Sequence, residues 1–354
     1  MLLFEKIPKL KGVVPHMDLM IAPTPVLKLD KLGEMLGVPH LYCKEDGLSG
    51  KVYGGNKVRK LEFLLAEALG KGAKRVLTFG AVGSNHAFAT AVYAREVSLN
   101  TTALLTPQPR TKSCHDNLLC HTVLGTDLHY VTPENFREVK SKLMEAYKEE
   151  EGIYPYLIPP GGTSELGVLG LINGALELDA QIKEGVLPPP DVIYMAGGTF
   201  GSVAGVAIGL KIAKQNTLVR AIRVTDPKIW GEDRFHLLMN KTVDFLKKKG
   251  DFHLEDHSNP HVQVVNDYFG GGYAVETEEL SEVMRLVKET EGLKLEVVYT
   301  AKPMAALVAD AKKGLLKNKN VLFWKTNNSL DMTHMIERGN LEALPTNLIG
   351  YAKY

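Results

Sequence analysis

Short β-branched and apolar runs alternate with longer stretches of helical periodicity along most of this chain, and no other feature constrains its fold as tightly. The strand-like runs are Val76 to Phe79, Thr102 to Leu105, Val192 to Met195, Val219 to Val224 and Val321 to Trp324. The helical patterns cover Val58 to Gly70, Ala87 to Val97, Ser202 to Ala213, Thr277 to Glu291 and Pro303 to Lys313. Repeated strand, helix, strand makes βαβ units, whose strands pair in parallel while the helices cover the sheet faces. The fold class is therefore α/β.

At 354 residues the chain is longer than one hydrophobic core usually serves, so two domains are expected. Pro159-Pro160-Gly161-Gly162 and Pro188-Pro189-Pro190 interrupt any regular element and flank a helical run from Leu166 to Ile182. The reading is a small α/β domain over 57–160, inserted into a large domain formed by 1–56 with 161–354, each a largely parallel twisted sheet flanked by helices. The charged, weakly periodic stretch from Pro227 to Pro260 reads as a surface excursion of the large domain.

Composition excludes several classes of function. Lys and Arg number 42 against 41 Asp and Glu, a net charge of +1, with no basic stripe or tail to follow a phosphate backbone; no nucleic-acid partner is expected. No window reaches the run of apolar residues that a membrane span needs, and Lys6, Lys9 and Lys11 break up the start of the chain, so neither a membrane partner nor a targeting segment is expected. Three scattered cysteines, Cys43, Cys114 and Cys120, suit a reducing cytoplasm. The pairs Cys114-His115 and Cys120-His121 invite a zinc reading, but a six-residue offset turns a helix by a net angle of roughly 240°. The two pairs would point apart, and no metal is expected.

Three segments carry chemistry. Gly54-Gly55-Asn56-Lys57 opens a helical run, which sets the Lys57 amine at the positive end of the helix dipole; Lys60, one turn on, adds a second cation that should depress the Lys57 pKa further. A neutral lysine can form a Schiff base with an aldehyde cofactor. Gly197-Gly198-Thr199-Phe200-Gly201-Ser202 follows a strand and opens a helix, a turn that presents backbone N–H groups and hydroxyls to an anion such as a phosphate. Gly83-Ser84-Asn85-His86 lies at a second strand-to-helix junction, where Ser84 and Asn85 could cap the helix or hold a carboxylate or a phenolate oxygen. A dinucleotide is the rival ligand: Asp226 could mimic a ribose-binding acid, but the glycine spacing departs from the fingerprint, and this reading leaves Lys57 and Ser84 to His86 without a task.

These segments, in this order, resemble pyridoxal phosphate enzymes of the tryptophan-synthase-β type, and within them the 1-aminocyclopropane-1-carboxylate deaminase and D-cysteine desulfhydrase family. The resemblance runs over most of residues 20–330. It takes in Lys44-Glu45-Asp46, Thr163-Ser164 with Gly167 and Gly170, Gly272-Tyr273 and Val298-Tyr299-Thr300-Ala301-Lys302. It implies pyridoxal 5'-phosphate as cofactor, with Lys57 as the Schiff-base lysine, Gly198, Thr199, Phe200, Gly201 and Ser202 on the phosphate, and Asn85 on the ring hydroxyl. Ser84 and His86, with Asn85, would face a small amino-acid substrate, and Tyr273 and Tyr299 would border the reacting carbons. The resemblance further implies a homodimer.

Two positions bear on the reaction. Ring-opening deaminases resemble one another in a glutamate after the second tyrosine, aimed at the pyridine nitrogen, and a glutamine after Ser-Asn; here these are Thr300 and His86. A neutral hydroxyl makes the cofactor a weaker electron sink, which favours β-elimination of a good leaving group, as from D-cysteine, over ring opening. The chain departs from the family's usual His-Thr-Gly-Gly at Lys325-Thr326-Asn327-Asn328, where Thr326 keeps its place beside the cofactor ring, and at Pro303.

Overall fold

The computed structural model describes residues 1–254 and 261–353. Among them are ten strands, in chain order β1 (Val26–Lys28), β2 (Leu41–Glu45), β3 (Arg75–Ala81), β4 (Asn100–Thr106), β5 (Asp127–Tyr130), β6 (Tyr156–Ile158), β7 (Val192–Gly197), β8 (Leu218–Arg223), β9 (Val262–Val265) and β10 (Val321–Lys325). The five strands expected from the sequence correspond to β3, β4, β7, β8 and β10. All five helical patterns are present, as Asn56–Gly70, Asn85–Glu96, Gly201–Ile212, Glu278–Glu291 and Lys302–Lys312.

The chain divides into two compact units, one of Met1–Val14, Met20–Lys60 and Ser164–Ser329, the other of Pro15–Leu19, Leu61–Thr163 and Leu330–Tyr354. The first carries a six-stranded sheet in the order β1-β2-β10-β7-β8-β9. Every pair in it is parallel except β1 with β2. The second carries a fully parallel sheet in the order β5-β4-β3-β6. No helix among the described residues is long and apolar enough to cross a membrane.

The second unit runs through Thr163 rather than ending at 160, and its boundaries differ from the sequence expectation in three further places, each with a packing reason. Residues 330–354 belong to the second unit, because Leu344, Leu348 and Ala352 complete a core with Val82, Ala87, Leu105 and Leu118. Pro15–Leu19 joins it because the Met17 and Leu19 amides donate to the backbone carbonyl and the carboxylate of Glu62. The first unit extends through Lys60, keeping the turn that bears Lys57. The stretch read as a surface excursion contains the helix Glu232–Gly250, which buries Phe235, Met239, Val243 and Leu246; its dense charges masked that periodicity, and residues 255–260 of the stretch lie outside the described residues.

A buried ionic cluster holds the Lys57 turn. Arg59 donates through Nη2 to Asp46 Oδ1 at 2.7 Å and to Glu177 Oε1 at 3.0 Å, and through Nη1 to Glu177 Oε2 at 3.0 Å. Lys44 Nζ donates to Glu177 Oε1 at 2.6 Å, and Trp324 Nε1 donates to Asp46 Oδ2 at 2.8 Å. Charges so deeply buried persist only when paired and fully hydrogen-bonded. The two cations hold the Glu177 carboxyl well below the usual carboxylate range against the opposing effect of burial.

Glycine permits the closest approach to this turn. A Cβ at Gly170, in the helix Glu165–Lys183, would lie 1.9 Å from the Arg59 carbonyl oxygen, whereas one at Gly70 would meet nothing within 4 Å. Gly170→Ala is therefore expected to cost roughly 1–3 kcal/mol in urea unfolding, as overpacking does. Gly70→Ala, a helix-propensity control, is expected to be neutral or to stabilise by up to about 1 kcal/mol.

Candidate active site

Lys57 is the second residue of the helix Asn56–Gly70. Arg59 follows it by two residues, roughly 200° around the helix, so fixing Arg59 in the core directs Lys57 to the opposite side. The side chain is half-buried, its Nζ 6.0 Å from the centroid of the Tyr299 ring, and it forms no hydrogen bond or ion pair among the described residues. Desolvation lowers its pKa from 10.5 to about 8. The expected contribution of Lys60 is not among the causes. Lys60 is itself fully buried, and desolvation, helped by the Lys57 charge, lowers its pKa well below the ordinary value.

The loop ahead of Lys57 is shaped by backbone packing. A Cβ at Gly54 would lie 1.8 Å from the Gly47 carbonyl oxygen, and Gly55 has a φ of +106°. Asn328 Oδ1 accepts from the Gly54 amide at 2.7 Å, and the Thr326 carbonyl accepts from the Asn56 amide at 3.1 Å. The asparagine that departs from the resemblance thus braces the lysine loop. Lys325, also a departure, is buried and donates to Glu45 Oε1 at 3.1 Å and to the Ser329 hydroxyl.

The glycine-rich turn joins β7 to the helix Gly201–Ile212, with Phe200 at the helix cap in the left-handed region, φ +59°. The Phe200 ring is buried against Phe235, with centroids 5.5 Å apart, so its side chain serves packing and its backbone serves the turn. Asn56 Nδ2 donates to Ser202 Oγ at 2.7 Å. That bond ties the residue preceding Lys57 to the helix start expected to hold a phosphate. A Cβ at Gly198 would lie 3.3 Å from a Tyr299 ring carbon, so the ring borders the same turn.

Tyr299 lies in a π-helical turn, Val297–Ala301, that runs into the helix Lys302–Lys312; such turns recur at functional sites. Glu296 caps the turn, its carboxylate accepting from the Val298 amide at 3.0 Å and from the Tyr299 amide. The Tyr273 and Tyr299 hydroxyls are 2.9 Å apart, and burial raises the Tyr299 pKa to about 12. The Thr300 hydroxyl donates to the Glu296 carbonyl at 3.1 Å and accepts from the Glu296 amide at 2.7 Å. Its single proton is committed there, and one lone pair remains.

Lys57, Gly198 to Ser202, Tyr273, Tyr299, Thr300 and Thr326 all belong to the first unit; Ser84, Asn85 and His86 belong to the second. Ser84 caps the helix Asn85–Glu96, its Oγ accepting from the Ala87 amide at 3.2 Å. Asn85 Oδ1 accepts from Asn117 Nδ2 at 3.3 Å, and His86 is buried with Nε2 2.9 Å from Thr78 Oγ1. The Cys-His pairs are otherwise engaged: His115 Nδ1 is 2.9 Å from Asp116 Oδ1, and His121 Nδ1 is 3.0 Å from Thr126 Oγ1. Asp226 closes its own turn by accepting from the Lys228 amide at 2.8 Å, which weakens the dinucleotide reading.

Sequence reasoning missed the roles of Asn56 and Glu296, and took Asn328 only as a departure from the family's glycine. The first two carried a signal, since an asparagine at a helix start and a carboxylate just ahead of a helical turn both mark caps.

An amine whose pKa is lowered to about 8, linked through its neighbour to a turn that opens a helix, suits a cofactor that is an aldehyde at one end and a phosphate at the other. The profile of the pyridoxal-phosphate dependent enzyme family matches residues 17–326, and the chain belongs to that family. Its cofactor is pyridoxal 5'-phosphate. The chain is similar to a Thermotoga maritima protein provisionally named a 1-aminocyclopropane-1-carboxylate deaminase, at 34% identity over 88% of this chain and 95% of the relative. It is similar to D-cysteine desulfhydrase of Salmonella schwarzengrund, at 32% identity over 83% of this chain and 88% of the relative. The crystal structure of an ACC deaminase homologue superposes with a TM-score of 0.78 at 28% identity, over 99% of this chain and 98% of that one.

Only the neutral form of Lys57 attacks an aldehyde. Cofactor uptake by the apo-protein is therefore expected to quicken about tenfold per pH unit below pH 8 and to level off above it. Stopped-flow absorbance checks this; a rate still climbing beyond pH 10 would mean that Lys57 keeps an ordinary pKa.

Proposed function

We propose that this enzyme eliminates the β-substituent of a small amino acid, with D-cysteine and water yielding pyruvate, ammonia and hydrogen sulfide. The observation that carries this reading is Thr300: a neutral hydroxyl closed on the Glu296 backbone stands where ring-opening deaminases resemble one another in a carboxylate. Pyridoxal phosphate, when bound, draws electron density from the substrate's α-carbon so that a β-substituent can leave. A hydroxyl neighbour favours a weaker draw, which a good leaving group such as a thiolate tolerates.

The chain's own residues then have distinct tasks. Lys57 supplies the amine that anchors the cofactor aldehyde and, once freed, takes the α-proton at Nζ, as a pKa of about 8 allows. The turn from Gly198 to Ser202 holds the phosphate with backbone N–H groups at a helix start. The two tyrosine hydroxyls share one hydrogen bond, and Tyr299, raised to about 12, stays a phenol throughout the working pH range. By resemblance, Thr300 and Thr326 border the cofactor ring, Asn85 bonds its hydroxyl, and Ser84 and His86 receive the substrate. By the same resemblance the enzyme works as a homodimer, and three unbridged cysteines suit a cytoplasmic location.

The deaminase name of the Thermotoga relative favours a second reading, ring opening of 1-aminocyclopropane-1-carboxylate to 2-oxobutanoate. A panel of D- and L-amino acids with the cyclopropane compound, scored for keto acid and sulfide, separates the two. Pyruvate and sulfide from D-cysteine are expected. 2-Oxobutanoate from the cyclopropane alone would establish the second reading, and no keto acid from any substrate, with cofactor absorbance intact, would show a binding protein. Lys57→Ala is expected to lose both the bound-cofactor absorbance and turnover, the latter by at least about a thousandfold.

A further inference from the structure

We propose that Lys302 is the residue that positions Tyr273, holding the loop that carries it against the segment that carries Tyr299. Residues 266–275 have no regular secondary structure, and the chain around Tyr273 turns through the left-handed region at Gly270, Gly271 and Ala274, with φ of +65°, +77° and +58°. Consecutive glycines leave a backbone more freedom than any other residues do, so the place of Tyr273 has to be imposed from outside the loop.

Lys302 is fully buried, and its Nζ donates to the Phe269 carbonyl at 2.5 Å and to the Gly272 carbonyl at 2.8 Å. The Gly272 carbonyl belongs to the peptide plane that sets the Tyr273 Cα. On the other side, Lys302 follows Tyr299 by three residues, at the point where the π-helical turn enters the helix Lys302–Lys312. Two links therefore join the same two segments, hydroxyl to hydroxyl at one end and amine to carbonyls at the other.

Packing alone does not account for a lysine here. Its amine forms no ion pair among the described residues, and burying it carries a desolvation cost that methionine or leucine would avoid. What lysine adds is donors: an ammonium offers three, and charge-assisted bonds to carbonyls are stronger than neutral ones.

This inference rests on the reading that Tyr273 acts on the substrate, so its test separates the two. Amide hydrogen exchange is measured across residues 266–276 in the apo-protein for wild type and Lys302→Met. Kinetics are measured for the holoenzymes of Lys302→Met, Tyr273→Phe and the double variant, with the amino acid that the panel selects. Lys302→Met is expected to speed exchange at those amides by about tenfold while leaving the strand amides of β7 and β8 unchanged. It is expected to lower kcat by about tenfold or more with KM changed less than about threefold, and to cost less than about twofold when Tyr273 is already Phe. Lys302→Arg, which keeps donors, is expected to recover part of kcat.

Unchanged exchange in Lys302→Met would overturn the grip on the loop. Faster exchange with fully multiplicative kinetic losses would overturn the route through Tyr273. Faster exchange with full activity in Tyr273→Phe would leave the grip standing and overturn the assigned role of Tyr273. Should Lys302→Met not fold, Lys302→Gln replaces it in each comparison.

Discussion

The bond network of Arg59 is the interaction on which the rest of the site depends. Its guanidinium joins Asp46 next to β2 with Glu177 on the helix Glu165–Lys183, and Trp324 of β10 closes on the same aspartate. The first turn of the helix Asn56–Gly70 is thereby fixed to two neighbouring strands and a covering helix. Removing one member would leave a buried charge unpaired, an effect on the order of 3–5 kcal/mol. The two cations Arg59 and Lys44 balance the two anions Asp46 and Glu177, so the cluster is electrically closed. Lys57 takes no part in it and forms no hydrogen bond or ion pair among the described residues.

That asymmetry sorts three lysines by what surrounds them. Lys57 is half-buried, unpaired and lowered to about 8, and so is available for covalent chemistry near neutral pH. Lys60 is wholly buried, and desolvation lowers its pKa well below the ordinary value. Lys302 is lowered to about 8 as well, but two carbonyls occupy its amine. A low pKa therefore does not identify the nucleophile by itself. The role proposed for Lys57 rests on partial exposure together with the lack of a hydrogen bond or ion pair among the described residues, and Lys57 alone of the three shows both.

The fold was largely legible in the sequence, because parallel strands buried on both faces read as β-branched runs and the helices between them as amphipathic stripes. The glycine turn at Gly198 to Ser202 and the lysine at 57 stood out for a related reason: the phosphate binding and Schiff-base chemistry proposed for them demand particular residues at particular junctions. What escaped was set by tertiary contact. Lys60 was read as a cation acting on Lys57, whereas its complete burial, invisible from spacing, lowers its own pKa well below the ordinary value. Residues 330–354 carry no signal of which core they complete, since a few leucines and alanines suit either unit. Asn328 reads as an intrusion beside a cofactor and proves to be the acceptor for the Gly54 amide.

The central claim is that one amine, that of Lys57, carries the cofactor aldehyde. Reducing the holoenzyme with borohydride, digesting it and locating the pyridoxyl group by mass spectrometry tests that claim directly. The account requires the label on the peptide containing residue 57, at that side chain. A label on Lys60 or Lys302, or a reduced protein with no label after saturation with cofactor, would contradict it.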